Sequence, residues 1–189
     1  MWVLLDNYDS FTHILHHYLL QCGKACQVFR NDEISIEELK ALQPERLIIS
    51  PGPETQLQSG VCMDAVAYFY DKIPILGICL GHQALGMFFG AQLIHAPYPM
   101  HGKVSEIIHD SHAIFKGIPT TFSAMRYHSL ALQVQADGPL QKIAVAKDDH
   151  TIMAISHKLY PCIGLQFHPE SIGTPQGITI LKNWLSLYS

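Results

Sequence analysis

The chain has 189 residues, of which 48% are hydrophobic and 15% are charged, so the composition excludes intrinsic disorder and predicts a large core. A formal charge of −4 without any basic run gives no electrostatic footprint for a nucleic-acid backbone. The length suits one large domain, and we expect residues 1–189 to form it.

The first half of the chain alternates short aliphatic runs with helical patterns, which is typical of β-α-β units that build a parallel sheet. The predicted elements are strand Met1–Leu5, a helix from Asp9 or Ser10 to Leu20, strand Ala25–Phe29, helix Ser35–Leu42, strand Arg46–Ser50, helix Ser59–Tyr70, strand Ile75–Ile78 and helix Gly81–Phe89. Ser35 and Glu38 form a capping-box pattern at the start of the second helix.

From about Gln92 the pattern changes to runs that look antiparallel. These runs are Lys103–Ile108, Thr121–Arg126, Ile143–Ala146, Thr151–Ser156 and Cys162–Phe167, followed by a helix near Pro175–Tyr188. The sequence therefore predicts an α/β fold with a largely parallel central sheet flanked by helices and an antiparallel extension in the C-terminal half. Ligands of such sheets bind beyond the carboxyl ends of the strands, which favours the loops at residues 6–10, 50–55 and 79–83.

Residues 73–102 contain no charged side chain and are the one stretch that resembles a membrane span. Pro74 and several glycines break this stretch, so we interpret it as strand, turn and helix. The N-terminal run reaches Asp6 after a few apolar residues, which predicts a strand rather than a signal peptide. The five cysteines form no C-x-x-C pair and fit a reducing compartment, so we expect a cytoplasmic protein.

The segment Gly77-Ile-Cys79-Leu-Gly81 lies between a predicted strand and a predicted helix, the arrangement of a nucleophile elbow. A sharp strand-to-helix turn strains the backbone of its central residue and brings main chains close, so the flanking positions must lack bulk. Cys79 would then project at a helix N-terminus, where partial positive charge favours a thiolate. A lone cysteine is more often structural, but the two glycines favour a nucleophile.

A thiol nucleophile needs a base that a third group orients, and the segment Gly164-Leu-Gln-Phe-His168-Pro-Glu170 supplies both. Pro169 holds His168 in an extended conformation, so side chains two residues apart project to the same side. We therefore expect Glu170 to orient the imidazole while its other nitrogen faces Cys79.

The turn Ser50-Pro-Gly52-Pro53 ends a strand that should lie beside the strand leading to Cys79. Because proline has no N–H, the free backbone N–H of this turn belongs to Gly52. Together with the N–H of Leu80, it would hold the negative charge that develops on a carbonyl attacked by Cys79. From these residues alone a plain turn is an equally good interpretation.

These three segments resemble the signature regions of class I glutamine amidotransferases, over nearly the whole chain. The segments Asp6-Asn-Tyr-Asp-Ser-Phe-Thr12, Met100-His-Gly-Lys103 and Arg126-Tyr-His-Ser-Leu130 further resemble the glutaminase subunits of anthranilate and aminodeoxychorismate synthases. The resemblance implies that Cys79 is the nucleophile, His168 the general base and acid, and Glu170 its orienting group. It also implies that glutamine is bound at Gly52, Pro53, Leu80, Gln83, Ser129 and Leu130.

The implied reaction is hydrolysis of L-glutamine through a glutamyl thioester, with ammonia passing to a larger chorismate-binding synthase subunit. The resemblance implies no metal and no organic cofactor on this chain. The charge and the interrupted apolar stretch predict no nucleic acid and no membrane partner. It leaves open whether the synthase makes anthranilate, aminodeoxychorismate or both. It also leaves open the subunit stoichiometry and the path of ammonia.

Two positions depart from the family pattern. Glu54 stands where the family usually has a glycine, near a site that must accept a zwitterion, and His13-Ile14 replaces the usual Tyr-Asn. We expect activity to survive both changes.

Two other functions stay open at this point. A γ-glutamyl hydrolase or related peptidase also uses an elbow cysteine and a histidine, although Gln83 and the segments shared with synthase glutaminases argue against it. A scaffold whose Cys79 senses oxidants needs no catalysis at all. His13, His16 and His17 have a spacing that can bind metal, but ordinary exposed histidines of a helix explain them better.

Overall fold

The computed structural model describes residues 1–23, 25–53 and 60–188. Within these ranges the elements are β1 Trp2–Asp6, α1 Thr12–Gln21, β2 Cys26–Arg30, α2 Ile36–Leu42, β3 Arg46–Ile49, α3 Cys62–Phe69, β4 Ile75–Ile78, α4 Leu80–Phe88, β5 Gln92–His109, β6 Thr121–Gln133, β7 Leu140–Ala146, β8 Ile152–His157, β9 Cys162–Leu165 and α5 Gly177–Leu187. A short 3-10 helix, Ala113–Phe115, lies between β5 and β6. Glu54 and the predicted start of the third helix at Ser59 lie outside the described residues.

These strands form one sheet in the order β2-β1-β3-β4-β9-β8-β7-β5-β6. The first five strands of this order run parallel to one another, and the last four continue the sheet with antiparallel pairing. The architecture is the α/β fold with an antiparallel extension that the sequence predicts.

Strand β9 is the junction between the two parts, and the prediction of antiparallel pairing is confirmed on one of its two sides. The run Cys162–Phe167 reads as antiparallel, but β9 pairs in parallel with β4 and antiparallel with β8. Gly77 of β4 lies opposite Gly164 of β9 in this register. The segments that follow β4 and β9 therefore leave the sheet side by side, at its carboxyl edge.

Helices cover both faces of the parallel part, which explains its nearly continuous aliphatic strands. Successive side chains of a strand point to opposite faces, and those of β1 accordingly divide between two cores. Trp2 and Leu4 pack with residues of α1 and α5, whereas Val3 and Leu5 pack with residues of α2, α3 and α4. The elements that carry the elbow are thus held from both sides.

The start of α1 differs from the prediction, whereas the start of α2 agrees with it. Helix α1 begins at Thr12 without a side-chain cap, so neither Asp9 nor Ser10 caps it. Asp9 instead accepts a hydrogen bond from the backbone N–H of Phe11, at 2.8 Å between Oδ1 and N, and forms a turn ahead of the helix. The capping box of Ser35 and Glu38 is present.

Strands β5 and β6 are longer than predicted and form an extended hairpin. β5 begins at Gln92 rather than Lys103, and β6 continues past Arg126 to Gln133. The pairing shifts register between His95 and Met100, the interval that contains Pro97 and Pro99. Proline cannot donate to a strand ladder, so a regular pattern is interrupted there although the hairpin continues.

Helix α5 is fastened at its C-terminal end by a buried arginine at the start of β3. The Arg46 guanidinium lies 5.5 Å from the ring centroid of Trp2 and 5.2 Å from that of Trp184. It donates hydrogen bonds to the carbonyl oxygens of Leu185 and Tyr188, at 2.9 and 3.0 Å. These contacts limit how far α5 can move away from the sheet.

The structure divides residues 73–102 among β4, α4 and β5, which confirms their interpretation as strand, turn and helix. Among the described residues there is no helix with the length and hydropathy needed to cross a membrane.

Candidate active site

Cys79 lies at the sharp turn between β4 and α4. Its backbone has φ 51° and ψ −99°, in a region that L-residues rarely adopt. A Cβ at Gly77 would lie 2.3 Å from the carbonyl oxygen of Gly81, and a Cβ at Gly81 would lie 2.5 Å from that of Ile49. Both flanking positions must therefore be glycine for this turn to form.

The elbow is joined to β9 by a backbone hydrogen bond. The N–H of Cys79 donates to the carbonyl oxygen of Leu165, with the two atoms 2.8 Å apart. The sulfur itself is buried, with the carbonyl oxygen of Tyr127 at 3.7 Å and Nε2 of Gln166 at 3.6 Å. Its position is set by the strands rather than by a long loop.

His168 and Glu170 form a buried pair beyond the end of β9. Nδ1 of His168 lies 2.7 Å from Oε1 of Glu170, and both side chains are almost completely buried. The backbone N–H of His168 donates to the carbonyl oxygen of Met125 at 3.0 Å, which ties this segment to β6. The hydroxyl of Thr174 donates to the carbonyl oxygen of His168 at 2.7 Å and fixes it from the other side.

The environment of His168 favours its protonated form. Burial acts to lower its pKa, but the interactions of the ring with Cys79 and with Glu170 outweigh burial and raise the pKa well above its ordinary value. The second ring nitrogen, Nε2, is buried and has no hydrogen-bond partner of good geometry among the described residues. Since Glu170 occupies Nδ1, Nε2 is the nitrogen that can exchange a proton with a substrate.

Two aromatic rings enclose the imidazole. The ring of Tyr127 lies 5.1 Å from that of His168, and the ring of Phe11 lies 6.1 Å away, both edge to face. Phe11 lies at the start of α1 and Tyr127 lies in β6, so two different elements pack against the imidazole. Such walls exclude water and strengthen the electrostatic interactions between the buried groups.

A cavity of about 340 Å³ opens beside Cys79. Its lining comprises Gly52, Pro53, Cys79, Leu80, Gln83, His101, Tyr127, His128, Ser129 and Leu130. The six residues for which the family resemblance implies contact with glutamine all lie in this lining. The structure thus brings them together with the sulfur, although they come from three separate parts of the chain.

The turn at Gly52 is held tightly against the first strand. A Cβ at Gly52 would lie 2.6 Å from Cβ of Asn7 and 2.9 Å from its carbonyl oxygen, so a larger residue does not fit. Asn7 also fixes Ser50 at the start of the turn, because its backbone N–H donates to Oγ of Ser50 at 2.9 Å and its side-chain amide donates to the Ser50 carbonyl at 3.0 Å. The turn is therefore rigid and lies beside the cavity.

A buried arginine orients the far side of the cavity. Arg126 is fully buried, pairs with Asp149 at 2.8 Å, and donates from Nε to Nε2 of His128 at 3.1 Å. Burial, assisted by the nearby Arg126 charge, lowers the pKa of His128 to about 4, so its ring is neutral at pH 7. Nδ1 of His128 then carries the proton and donates to the carbonyl oxygen of Leu130 at 2.9 Å.

Sequence reasoning missed several residues of this site. Gln166 lies inside a recognised motif, two residues before His168, and that spacing on a strand places both side chains on one face. Tyr127 and His128 belong to a segment identified only by resemblance, and no pattern signalled that β6 extends through them. Phe11 was expected only as a helix residue.

The N-terminus of α5 touches the backbone of the catalytic segment. A Cβ at Gly177 would lie 1.7 Å from the carbonyl oxygen of Pro169 and 2.7 Å from its carbonyl carbon. Pro169 stands between His168 and Glu170, so the start of α5 packs against the backbone that carries both side chains.

Metal ligation finds no support in the described residues, which contain no group of three or more His, Cys, Asp or Glu side chains able to hold an ion. One of the three histidines of α1 already has a partner, because Nε2 of His16 lies 2.9 Å from the carbonyl oxygen of Cys26.

His82, the residue after Gly81, should make the protein less stable in acid. It is fully buried against Gly164, and burial lowers its pKa to about 3. Between roughly pH 6.5 and pH 3 the unfolded chain binds a proton here that the folded chain does not, so stability is complete above this window and falls as the pH decreases through it. Replacing His82 by Asn should reduce the slope of unfolding free energy against pH by about 1.4 kcal/mol per pH unit at pH 4 to 5.5. Denaturant titrations at a series of pH values measure this slope, and an unchanged slope would mean that the folded protein protonates His82.

The fold and the geometry together define a class of protein: an α/β protein with a buried nucleophile, base and orienting carboxylate at the carboxyl edge of its sheet. The sequence matches the glutamine amidotransferase class-I family over residues 3–187. The chain belongs to this family and is a glutamine-hydrolysing enzyme, which confirms the class expected from its motifs.

Three curated relatives match almost the whole chain. The anthranilate synthase component 2 of Thermus thermophilus is 46% identical over 185 residues, 97% of this chain and 90% of that protein. The aminodeoxychorismate/anthranilate synthase component 2 of Bacillus subtilis is 42% identical over 188 residues, 100% of this chain and 97% of that protein. The bifunctional protein TrpGD of Thermotoga maritima is 42% identical over 187 residues, 98% of this chain, but the chain spans only 32% of its length.

A solved structure agrees with the fold. A Thermoplasma acidophilum protein described as a subunit of GMP synthase matches with a TM-score of 0.85 at 25% sequence identity, covering 99% of this chain and 93% of that chain.

Proposed function

We propose that this chain forms one glutamine amidotransferase domain, the glutaminase subunit of a two-subunit synthase that aminates chorismate. Relatives that match nearly end to end carry the names anthranilate synthase component 2 and aminodeoxychorismate/anthranilate synthase component 2, which supports this assignment. The five cysteines are all unpaired, which supports a location in the cytoplasm.

The observation that carries the proposal is the placement of Cys79 between the His168–Glu170 pair and the cavity. Sγ attacks the side-chain amide carbon of L-glutamine bound in the cavity. The oxyanion that forms is held by the backbone N–H groups of Gly52 and Leu80. Leu80 begins α4, and the first N–H groups of a helix have no partner within the helix.

His168 carries protons between the steps of the reaction. Nε2 gives its proton to the departing amide nitrogen, which leaves as ammonia, and a glutamyl thioester remains on Cys79. The neutral ring then takes a proton from a water molecule, which attacks the thioester and releases glutamate. Glu170 holds the ring in one tautomer and stabilises the imidazolium, so it changes its own charge in neither step.

The test is a comparison of glutamate release by the chain alone and by the chain mixed with the large subunit of each candidate synthase. We expect hydrolysis of glutamine to rise about tenfold or more with the cognate large subunit, in line with typical coupling between linked sites. Amination of chorismate with glutamine as nitrogen source should require both subunits.

Other outcomes would assign other functions. Preferential release of glutamate from γ-glutamyl peptides would make the chain a γ-glutamyl hydrolase. Absence of hydrolysis with either large subunit, together with equal alkylation of all five thiols by a glutamine-analogue electrophile, would favour a thiol-sensing scaffold.

A further inference from the structure

Gln166 is a fully buried polar residue that the mechanism above does not use. It directly follows β9, and its backbone N–H donates to the carbonyl oxygen of Met153 at 2.9 Å. Its side-chain nitrogen Nε2 lies 3.6 Å from Sγ of Cys79, and its side-chain oxygen accepts a hydrogen bond from Nε2 of Gln83 at 3.0 Å. An amide so deeply buried needs partners for both of its ends, and here both partners belong to the active site.

The direction of the Gln166 amide follows from its neighbours. Nε2 of Gln83 also lies 3.2 Å from the carbonyl oxygen of Leu130, and a carbonyl oxygen only accepts, so the Gln83 group at this point must be its NH₂. That NH₂ donates to Gln166, which must present its oxygen. The remaining Gln166 group, the NH₂, is then the one that faces the sulfur.

The Leu130 carbonyl has a second donor, whose direction is also determined. The Leu130 carbonyl also accepts from Nδ1 of His128, whose other nitrogen accepts from Arg126. Arginine is always a donor, so the tautomer of His128 is determined and its Nδ1–H donates to the Leu130 carbonyl. The Leu130 carbonyl thus accepts from both His128 and Gln83. The Gln83 NH₂ also donates to the Gln166 oxygen and so keeps the Gln166 NH₂ directed at Sγ.

An N–H directed at sulfur distinguishes the two protonation states of Cys79. A thiolate accepts a hydrogen bond strongly and a thiol accepts one weakly, so the contact stabilises the thiolate. The thiol has its own partner, because its S–H can donate to the Tyr127 carbonyl 3.7 Å away. The Gln166 NH₂ therefore stabilises the thiolate of Cys79, whereas the Tyr127 carbonyl stabilises its thiol.

We propose that Gln166 is a further catalytic residue, which donates its side-chain N–H to the Cys79 thiolate and holds the sulfur as the nucleophile beside His168. This inference rests on the proposed role of Cys79 in glutamine hydrolysis. Gln83 has two roles in this arrangement. It lines the glutamine cavity, and it orients the side-chain amide of Gln166.

The experiment measures the rate at which iodoacetamide alkylates Cys79 as a function of pH, in the wild-type protein and in Gln166→Met. Met keeps the length of the side chain and removes the donor, so the midpoint of the profile should rise by about one pH unit, equivalent to about tenfold less thiolate. For glutamine, kcat at neutral pH should fall by about the same factor with KM nearly unchanged, and the loss should diminish at high pH. Gln133→Met, at the exposed end of β6, is the matched control and should leave both profiles unchanged.

Gln166→Glu preserves the shape of the side chain and provides a second measurement if Gln166→Met folds poorly. A carboxylate beside the sulfur disfavours the thiolate, so the alkylation midpoint should rise further than in Gln166→Met. If the midpoint stays at the wild-type pH in a folded variant, Gln166 only supports the fold and the proposal is overturned. Alkylation requires no glutamine, so absence of glutaminase activity in the wild-type protein would contradict the proposed function without deciding the role of Gln166.

Discussion

Replacing Cys79 by Ala should reduce glutamine hydrolysis about ten-thousand-fold or more, because no neighbouring group can take over covalent attack on the amide. The substitution keeps Cβ, so the positive φ of the elbow and its backbone hydrogen bond to Leu165 are retained. Glutamate release measures the effect, and circular dichroism verifies the fold. An electrophilic glutamine analogue should label the wild-type protein at Cys79 and leave the variant unlabelled.

Cys22→Ala is the matched control for this substitution. Cys22 is the partly exposed thiol at the end of α1, remote from the elbow in the fold, and its loss should leave hydrolysis and labelling unchanged. In the complex with the larger synthase chain, Cys79→Ala should abolish synthesis from glutamine while synthesis from added ammonia persists. Equal loss of both activities would contradict the proposed division of labour, and glutaminase activity retained by the variant would contradict the role of Cys79.

Gly177→Ala should lower glutaminase activity about a hundredfold, although Gly177 lies outside every recognised motif. Its new Cβ would lie 1.7 Å from the Pro169 carbonyl oxygen, and neither a Cβ nor a backbone oxygen can rotate away. Helix α5 cannot easily move away from this contact, because Arg46 holds the C-terminal end of the helix. The segment carrying His168 and Glu170 must then move, and a displacement of about 1 Å can cost about a hundredfold in rate.

The same substitution should lower the free energy of unfolding by about 1–3 kcal/mol, the usual cost of overpacking. Steady-state kinetics and denaturant titration of the purified variant measure both effects, with the loss expected in kcat. Gly138→Ala is a matched control, since the nearest neighbour of its Cβ would be the carbonyl oxygen of Gln135, 3.3 Å away. Wild-type kinetics in Gly177→Ala would show that α5 yields and that the catalytic segment tolerates the shift.

Local signals were sufficient to predict the elbow. The pattern Gly77-x-Cys79-x-Gly81 between a strand and a helix predicts a turn too tight for side chains at its flanking positions. The structure agrees, because a Cβ at either glycine would collide with backbone atoms. The pairing of His168 with Glu170 likewise follows from an extended backbone through Pro169.

Contacts between distant parts of the chain could not be predicted from the sequence. Strand β9 reads as an ordinary buried run, and only its position between β4 and β8 makes it parallel on one side and antiparallel on the other. In β6, the polar residues His128 and Ser129 interrupt the alternation of apolar side chains, so the strand could not be followed into the cavity. Gln166 was visible in its motif, but its partners Gln83 and Cys79 lie 83 and 87 residues away.

The junction at β9 also separates two tasks that an enzyme must perform. The groups that break the amide bond follow strands of the parallel part, whereas Ser129 and Leu130 belong to the hairpin of the antiparallel part. A substitution of Ser129, whose side chain has no contact with Cys79, His168 or Glu170 in the hydrogen bonds described above, can therefore alter the lining of the cavity while strands β4 and β9 keep their sequence. An architecture of this kind lets selection change part of the substrate's surroundings from strands other than those that lead to the reacting groups.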